Sequence, residues 1–81
     1  MIIHVSFYSY FKELTGTPQT RETLAEGGTL DDLYGQLITR FPKLAAMRKS
    51  TLLAVGVEYQ GRDYALKDGD EVSLFPPVQG G

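Results

Sequence analysis

The chain opens with a strict alternation of inward and outward side chains over residues 2–8. The inward positions are Ile3, Val5 and Phe7, and the positions between them are His4, Ser6 and Tyr8. This period of two predicts a strand with one buried face. The same alternation over residues 71–75 predicts a final strand, in which Val72 and Leu74 face one way and Phe75 faces the other.

Weaker patterns predict the remaining extended segments. Residues 20–25 are expected to form a second strand in a hairpin with the first, and residues 51–59 a third strand. The polar stretch 12–18 is broken by Gly16 and Pro18 and is predicted to be a turn. A short helical turn is expected within residues 43–50.

One long helix is predicted after Gly28. Thr29 is suited to the N-cap, and Asp32 stands three residues later, where a carboxylate can accept from free backbone amides. The apolar positions have the spacing of a one-sided helix: Leu30, Leu33, Tyr34, Leu37, Ile38 and Phe41. Pro42 should end it, and Gly35 inside it costs about 1 kcal/mol relative to alanine.

The order of these elements predicts an α+β fold of two layers. Two strands, one main helix and two or three further strands fit a β-grasp, a mixed sheet of four or five strands with the helix across one face. Residues 1–75 would form this body. Residues 76–81 would form an extended C-terminal tail, because Pro76 and Pro77 cannot donate ladder hydrogen bonds.

Composition excludes several classes of function. The 81 residues carry a net charge of −2, which is unlike the basic surface of a nucleic-acid binder. Cysteine is absent, so the chain offers no disulfide, thiolate metal ligand or thiol nucleophile. The start lacks the pattern of a signal peptide, and no apolar run is long enough to span a membrane, so we expect a cytoplasmic protein.

Catalytic and metal-binding motifs are also missing. The single histidine, His4, is better explained as a surface or interface residue than as a catalytic base. The segment KDGDE, residues 67–71, favours a tight turn over a cation loop, and Arg48-Lys49 favours a solvated loop. No metal-binding or nucleotide-binding motif is present, and we expect the chain itself to bind no metal and no cofactor.

The C-terminal segment SLFPPVQGG is the candidate site. Gly80 and Gly81 carry no Cβ, so the tip could enter a channel that excludes a side-chained residue. An unhindered terminal carboxylate is also a good substrate for activation at carbon. Phe75, Tyr8 and Tyr59 are interpreted as docking anchors beside this tail.

The segments FKELTG, LLAVGVEY and LKDGDEVSLFPPVQGG together resemble the small, sulfur-carrier subunits of molybdopterin synthase, the MoaD-type members of the ubiquitin-like β-grasp proteins. The resemblance covers the whole chain. It implies that an E1-like enzyme adenylates Gly81 with ATP, which the enzyme and not this chain binds, and that the terminus then becomes a thiocarboxylate. It also implies transfer of sulfur to the pterin precursor of the molybdenum cofactor in the large synthase subunit, within a heterotetramer.

The resemblance assigns Gly81 as the reacting residue and Gly80 as its slender neighbour. The resemblance also implies a set of residues that contact partner proteins: Tyr8, Lys12, Tyr59, Phe75, Pro76, Pro77, Val78 and Gln79. Three positions depart from the family pattern, since Gly56 stands where asparagine is common, Tyr59 where an aliphatic residue is common and Lys12 where arginine is common. Lysine lacks the planar fork of arginine, so a bidentate contact is not expected there.

Two other functions fit the same terminus or fold. The chain could deliver sulfur to thiazole synthesis or be conjugated to lysines as a ubiquitin-like modifier. It could also be a β-grasp binding module in which the two terminal glycines have no role. The resemblance favours the molybdopterin carrier, which is not an enzyme alone but the sulfur-donor subunit of a transferase.

Overall fold

A five-stranded mixed sheet is the frame of the structure, a computed structural model that describes residues 1–77. The strands are β1 (Ile2–Phe7), β2 (Gln19–Thr23), β3 (Leu52–Val55), β4 (Glu58–Tyr59) and β5 (Glu71–Phe75). Their order is β2-β1-β5-β3-β4, with β1 and β5 parallel and the other pairs antiparallel. The predicted α+β class and mixed sheet are confirmed.

The alternation predicted for the first and last strands is present in the structure. Ile3, Val5 and Phe7 are buried, as are Val72 and Leu74 on β5. The parallel register runs from His4 opposite Glu71 to Phe7 opposite Leu74. Inward residues of the two central strands therefore lie side by side in one core, and outward residues lie side by side on the opposite face.

The long helix, α2 (Leu30–Arg40), begins as the sequence predicted. The Thr29 hydroxyl accepts from the Asp32 backbone N–H at 3.2 Å, and the Asp32 carboxylate accepts from the Thr29 backbone N–H at 2.9 Å. This reciprocal capping box occupies two backbone donors that would otherwise lack partners. A single stripe of the helix is buried: Leu30, Leu33, Tyr34 and Leu37. A 3-10 helix (Pro42–Met47) follows.

The prediction of a turn over residues 12–18 was wrong, because Tyr10–Thr15 form a second helix, α1. Six residues are too few to show a helical period, and Phe11 is the only one of them that is buried. Gly16 ends the helix in the left-handed conformation, and its N–H donates to the Lys12 carbonyl at 2.8 Å. The glycine that indicated a turn is therefore a helix C-cap.

The prediction of one continuous strand over residues 51–59 was also wrong. The chain reverses at Gly56, whose φ is +62°, and this separates β3 from the two-residue strand β4. Val57 stands at the tip of the hairpin and is 99% exposed. Hydropathy gives no sign of such a break, because Val57 in the turn is as apolar as the valines of a strand. The signal in the sequence is the glycine inside the run.

Arg48 and Lys49 lie in a turn after the 3-10 helix, and Lys49 is exposed as expected, whereas Arg48 is half-buried. Its guanidinium lies 2.9 Å from the Asp31 carboxylate on α2 and 5.7 Å from the centre of the buried Tyr34 ring. The Tyr34 hydroxyl donates to the Leu44 carbonyl at 3.0 Å and lies 2.8 Å from the Thr51 hydroxyl. These contacts hold the segment after α2 against the helix.

A buried carboxylate fastens the edge strand β2 to α2. Glu22 is 3% exposed and forms an ion pair with Arg40. Gln36 donates to the same carboxylate at 3.1 Å, and Thr20 donates to it at 3.2 Å. A buried charge is tolerated when it is paired and hydrogen-bonded in this way.

Neither α-helix in residues 1–77 has the length and apolar content needed to cross a membrane.

We predict that Gly35→Ala raises the free energy of unfolding by about 1 kcal/mol, because alanine is the better helix former. An added Cβ would lie 3.7 Å from the nearest Arg48 side-chain nitrogen, which is ordinary contact. Denaturant unfolding measures the change. The matched variant Gly69→Ala should instead lower stability by about 1 kcal/mol, because φ is +87° there. Equal effects of both variants would contradict this interpretation.

We also predict that Asp31→Asn weakens the dependence of stability on pH. The hydrogen bond from Arg48 holds the pKa of Asp31 below its ordinary value, with a further contribution from Arg62. The unfolded chain therefore takes up the proton first, and the stabilisation is present above about pH 4 and lost below it. Unfolding curves at pH 7 and pH 3 should show lower stability of the variant at pH 7 and a smaller loss on acidification. Asp63→Asn, which removes an exposed carboxylate outside the ion pairs of residues 1–77, is the control.

Candidate functional site

Three aromatic side chains meet on the open face of the sheet, and we call them the aromatic trio: Tyr8, Tyr59 and Phe75. The rings of Tyr8 and Phe75 are stacked, with centroids 4.9 Å apart and planes 6° apart. Tyr59 contacts Phe75 edge-on, at 6.1 Å and 78°. Tyr8 is 45% exposed and Tyr59 is 65% exposed, so the trio presents a substantial apolar surface outside the core.

The sheet register brings the trio together. Phe7 lies opposite Leu74 in the parallel pair, so the next residues, Tyr8 and Phe75, emerge as neighbours on the other face. Tyr59 pairs with Ala54 on β3, the strand beside β5, and its ring reaches Phe75 from there. The predicted outward orientation of all three is confirmed, whereas their mutual contacts follow only from strand order.

The trio lies where the chain leaves the sheet. Phe75 is the last residue of β5, and the half-buried Pro76 and Pro77 follow it outside any strand. Proline has no backbone N–H, so the ladder cannot continue. The predicted tail positions Val78, Gln79, Gly80 and Gly81 lie outside the described residues, and their roles stay predictions.

Lys12 lies on α1 and not in a turn. It is exposed, and it forms no ion pair within residues 1–77. Helix α1 begins two residues after Tyr8, so its position follows directly from the end of β1. The proposed contact of Lys12 with a partner stays a prediction.

The acidic segment before β5 is a turn, as predicted. Gly69 adopts a φ of +87°. The Asp68 carboxylate accepts from the Ile2 backbone N–H at 2.7 Å, and the Asp70 carboxylate accepts from the Lys67 backbone N–H at 2.8 Å. The Asp68 carboxylate thus holds this turn beside the start of β1, whereas the Asp70 carboxylate closes the turn itself. The contact of Asp68 supports the register that assembles the trio.

Comparison with known proteins gives the family. The model of the ThiS family matches residues 5–81. The chain belongs to the ThiS family. Two curated relatives, from Escherichia coli and Chlamydomonas reinhardtii, are both named molybdopterin synthase sulfur carrier subunit. The first is 38% identical, with 99% of this chain and 100% of the relative covered, and the second is 36% identical with both covered completely.

Solved structures that are similar to this chain have the β-grasp fold, and this similarity confirms the predicted fold class. A putative molybdopterin converting factor subunit 1 from Pyrococcus furiosus superposes with a TM-score of 0.89 at 29% identity, covering 96% of this chain and 99% of that one. A complex of subunits 1 and 2 of the molybdopterin-converting factor from Helicobacter pylori contains a chain with the same fold, at a TM-score of 0.69 and 23% identity, with both chains covered completely.

We predict that Tyr8 and Phe75 are energetically coupled. Stacked aromatic rings contribute about 0.5–1.5 kcal/mol beyond their burial, so a double-mutant cycle of Tyr8→Leu and Phe75→Leu should give a coupling in this range. Unfolding free energies of the four proteins measure it. The control cycle combines Phe75→Leu with Phe41→Leu. The Phe41 ring lies against Phe7, with ring centroids 5.6 Å apart, and not against Phe75. Additive effects in the first cycle would show that the stack carries no energy.

Proposed function

We propose that this ThiS-family protein is the sulfur-carrier subunit of a molybdopterin synthase, and that it carries sulfur as a thiocarboxylate on Gly81. The observation that carries the proposal is the match over the full length of relatives that bear this name, at 36% and 38% identity. The sequence contains both terminal glycines that the chemistry needs.

The chemistry requires no reactive side chain on this protein. An oxygen of the Gly81 carboxylate attacks the α-phosphorus of ATP, and pyrophosphate leaves. A sulfur donor at the oxidation level of sulfide then attacks the carbonyl carbon, and AMP leaves. Sulfur is thus held on the terminal carbon, in keeping with a chain that has no cysteine. ATP is bound by the activating enzyme, which we propose is E1-like.

The aromatic trio supports delivery to a second protein. Exposed aromatic residues beside the start of the tail could anchor the body while the tail enters a partner's active site. We propose that this partner is a large synthase subunit, in which sulfur passes to the pterin precursor. Two carriers and two large subunits would form a heterotetramer, and the carrier alone would not be catalytic. We propose that the cycle takes place in the cytoplasm, where ATP is available to the activating enzyme.

We predict that incubation with an activating enzyme, ATP and a sulfur source replaces one terminal oxygen by sulfur. Intact-mass analysis detects the exchange directly. Deletion of Gly81 should abolish it, because the shortened tail cannot place its carboxylate at the adenylation site. Gly35→Ala, a change in the body, should react like the wild type.

An unchanged yield of thiocarboxylate after deletion of Gly81, with the fold intact, would refute the proposal. Partner capture separates the related functions of the same terminus. A large synthase subunit on the tail supports the molybdopterin role, whereas a thiazole synthase or an isopeptide bond to lysine would replace it.

A further inference from the structure

A row of charged and polar side chains crosses the open face of the sheet at the end away from the aromatic trio. We call it the charged row, and it consists of Arg21 on β2, His4 on β1 and Glu71 on β5. Arg21 and Glu71 are the register partners of His4 on its two sides. All three are exposed, because their neighbours in sequence are the residues that face α2.

The two charges of this row have no ion-pair partner within Met1–Pro77. In that part of the chain the other three arginines all pair with carboxylates: Arg40 with Glu22, and Arg48 and Arg62 with Asp31. The Cα atoms of Arg21 and Glu71 are separated by two strand spacings, about 10 Å. The row therefore presents a positive and a negative side chain to solvent from backbone positions that the sheet register fixes.

The charged row and the aromatic trio belong to one continuous face. His4 on β1 belongs to the row, and Tyr8, the residue after β1, belongs to the trio; the two are four residues, or about 13 Å, apart. Between them lie small or polar residues, among them Ser6 and Ser73, which are paired in the register of β1 and β5. No large side chain of these two strands separates the two groups, so one partner surface can contact both.

We infer that the charged row sets the orientation of this protein on the large synthase subunit. The inference rests on the proposed function. Apolar contact with the trio is non-directional, so it anchors the body without fixing its rotation. A second contact, between opposite charges about 13 Å from the trio, fixes this rotation. Charge pairs across an interface select one register and disfavour the others. The partner surface that fits presents a carboxylate opposite Arg21 and a basic side chain opposite Glu71.

Charge reversal within the row tests the inference. Arg21→Glu and Glu71→Arg, each titrated against the purified large subunit, should weaken binding by roughly fivefold to thirtyfold, because an attraction becomes a repulsion. The double variant keeps the net charge of −2 yet reverses both ends, and it should bind more weakly than either single variant. Raising the salt concentration should reduce the differences in affinity between these variants and the wild type, because salt screens the charges.

Matched variants control for net charge alone. Lys43→Glu and Glu26→Arg make the same charge changes at exposed positions of the 3-10 helix and of the loop before α2, and they should bind like the wild type. Thermal unfolding of each variant verifies that the fold is retained. The inference would be overturned if the double variant bound the large subunit with the affinity of the wild type.

The behaviour of the wild-type protein distinguishes failure of the proposed function from failure of the orienting role of the charged row. If wild-type protein neither binds the large subunit nor passes sulfur to it, the proposed function fails. If it binds and transfers sulfur, but the row variants match it in affinity, only the orienting role of the charged row fails.

Discussion

The parallel pairing of β1 with β5 is the constraint on which the rest of the structure depends. It places the first strand of the chain beside the last one and aligns Val5 with Val72 and Phe7 with Leu74. The inward sides of these strands form the centre of the core, against which α2 packs. A shift of one residue would exchange the buried and exposed sets of a whole strand, so the burial of one face strongly specifies the register.

The same register builds the surface on which we place function. Tyr8 and Phe75 stack because each is the residue that follows the last inward pair of the two strands. The Asp68 contact with the Ile2 backbone helps to hold the two strand beginnings together. The core and the candidate docking surface thus rest on one set of hydrogen bonds, and a change in that register would disrupt both.

In the proposed function, the body and the tail have different physical tasks. Residues 1–77 contain a closed core, a fully partnered Glu22 and a buried Tyr34 that is hydrogen-bonded. None of these groups is needed for the chemistry that we propose, which takes place at the terminal carbonyl carbon. In the proposed function, a compact body that contributes no side chain to the reaction passes between partners, with recognition by its open face and reaction at its tip.

The sequence by itself determined the elements whose signals are local. Three such signals depend only on residues close in the chain: the alternation around Val5, the capping box of Thr29 and Asp32, and the helix end before Pro42. The hydrophobic period and the residue types were therefore enough to predict these elements. It also determined the outward side of Tyr8 and Phe75, whereas the side of Tyr59 follows from the reversal at Gly56. Helix α1 escaped prediction because six residues show no period, and the β3–β4 hairpin escaped because only the left-handed φ of Gly56 ends the strand.

Only the tertiary structure decided how distant segments meet. Arg48 and Arg21 illustrate this, because each stands beside a charged residue in the sequence, yet Arg48 pairs with Asp31 and Arg21 is exposed. Strand order likewise decided that Tyr59 would reach Phe75 and that Arg21 and Glu71 would flank His4. The physical reason is that ion pairs, ring contacts and surface rows depend on distances across strands, which local sequence does not encode.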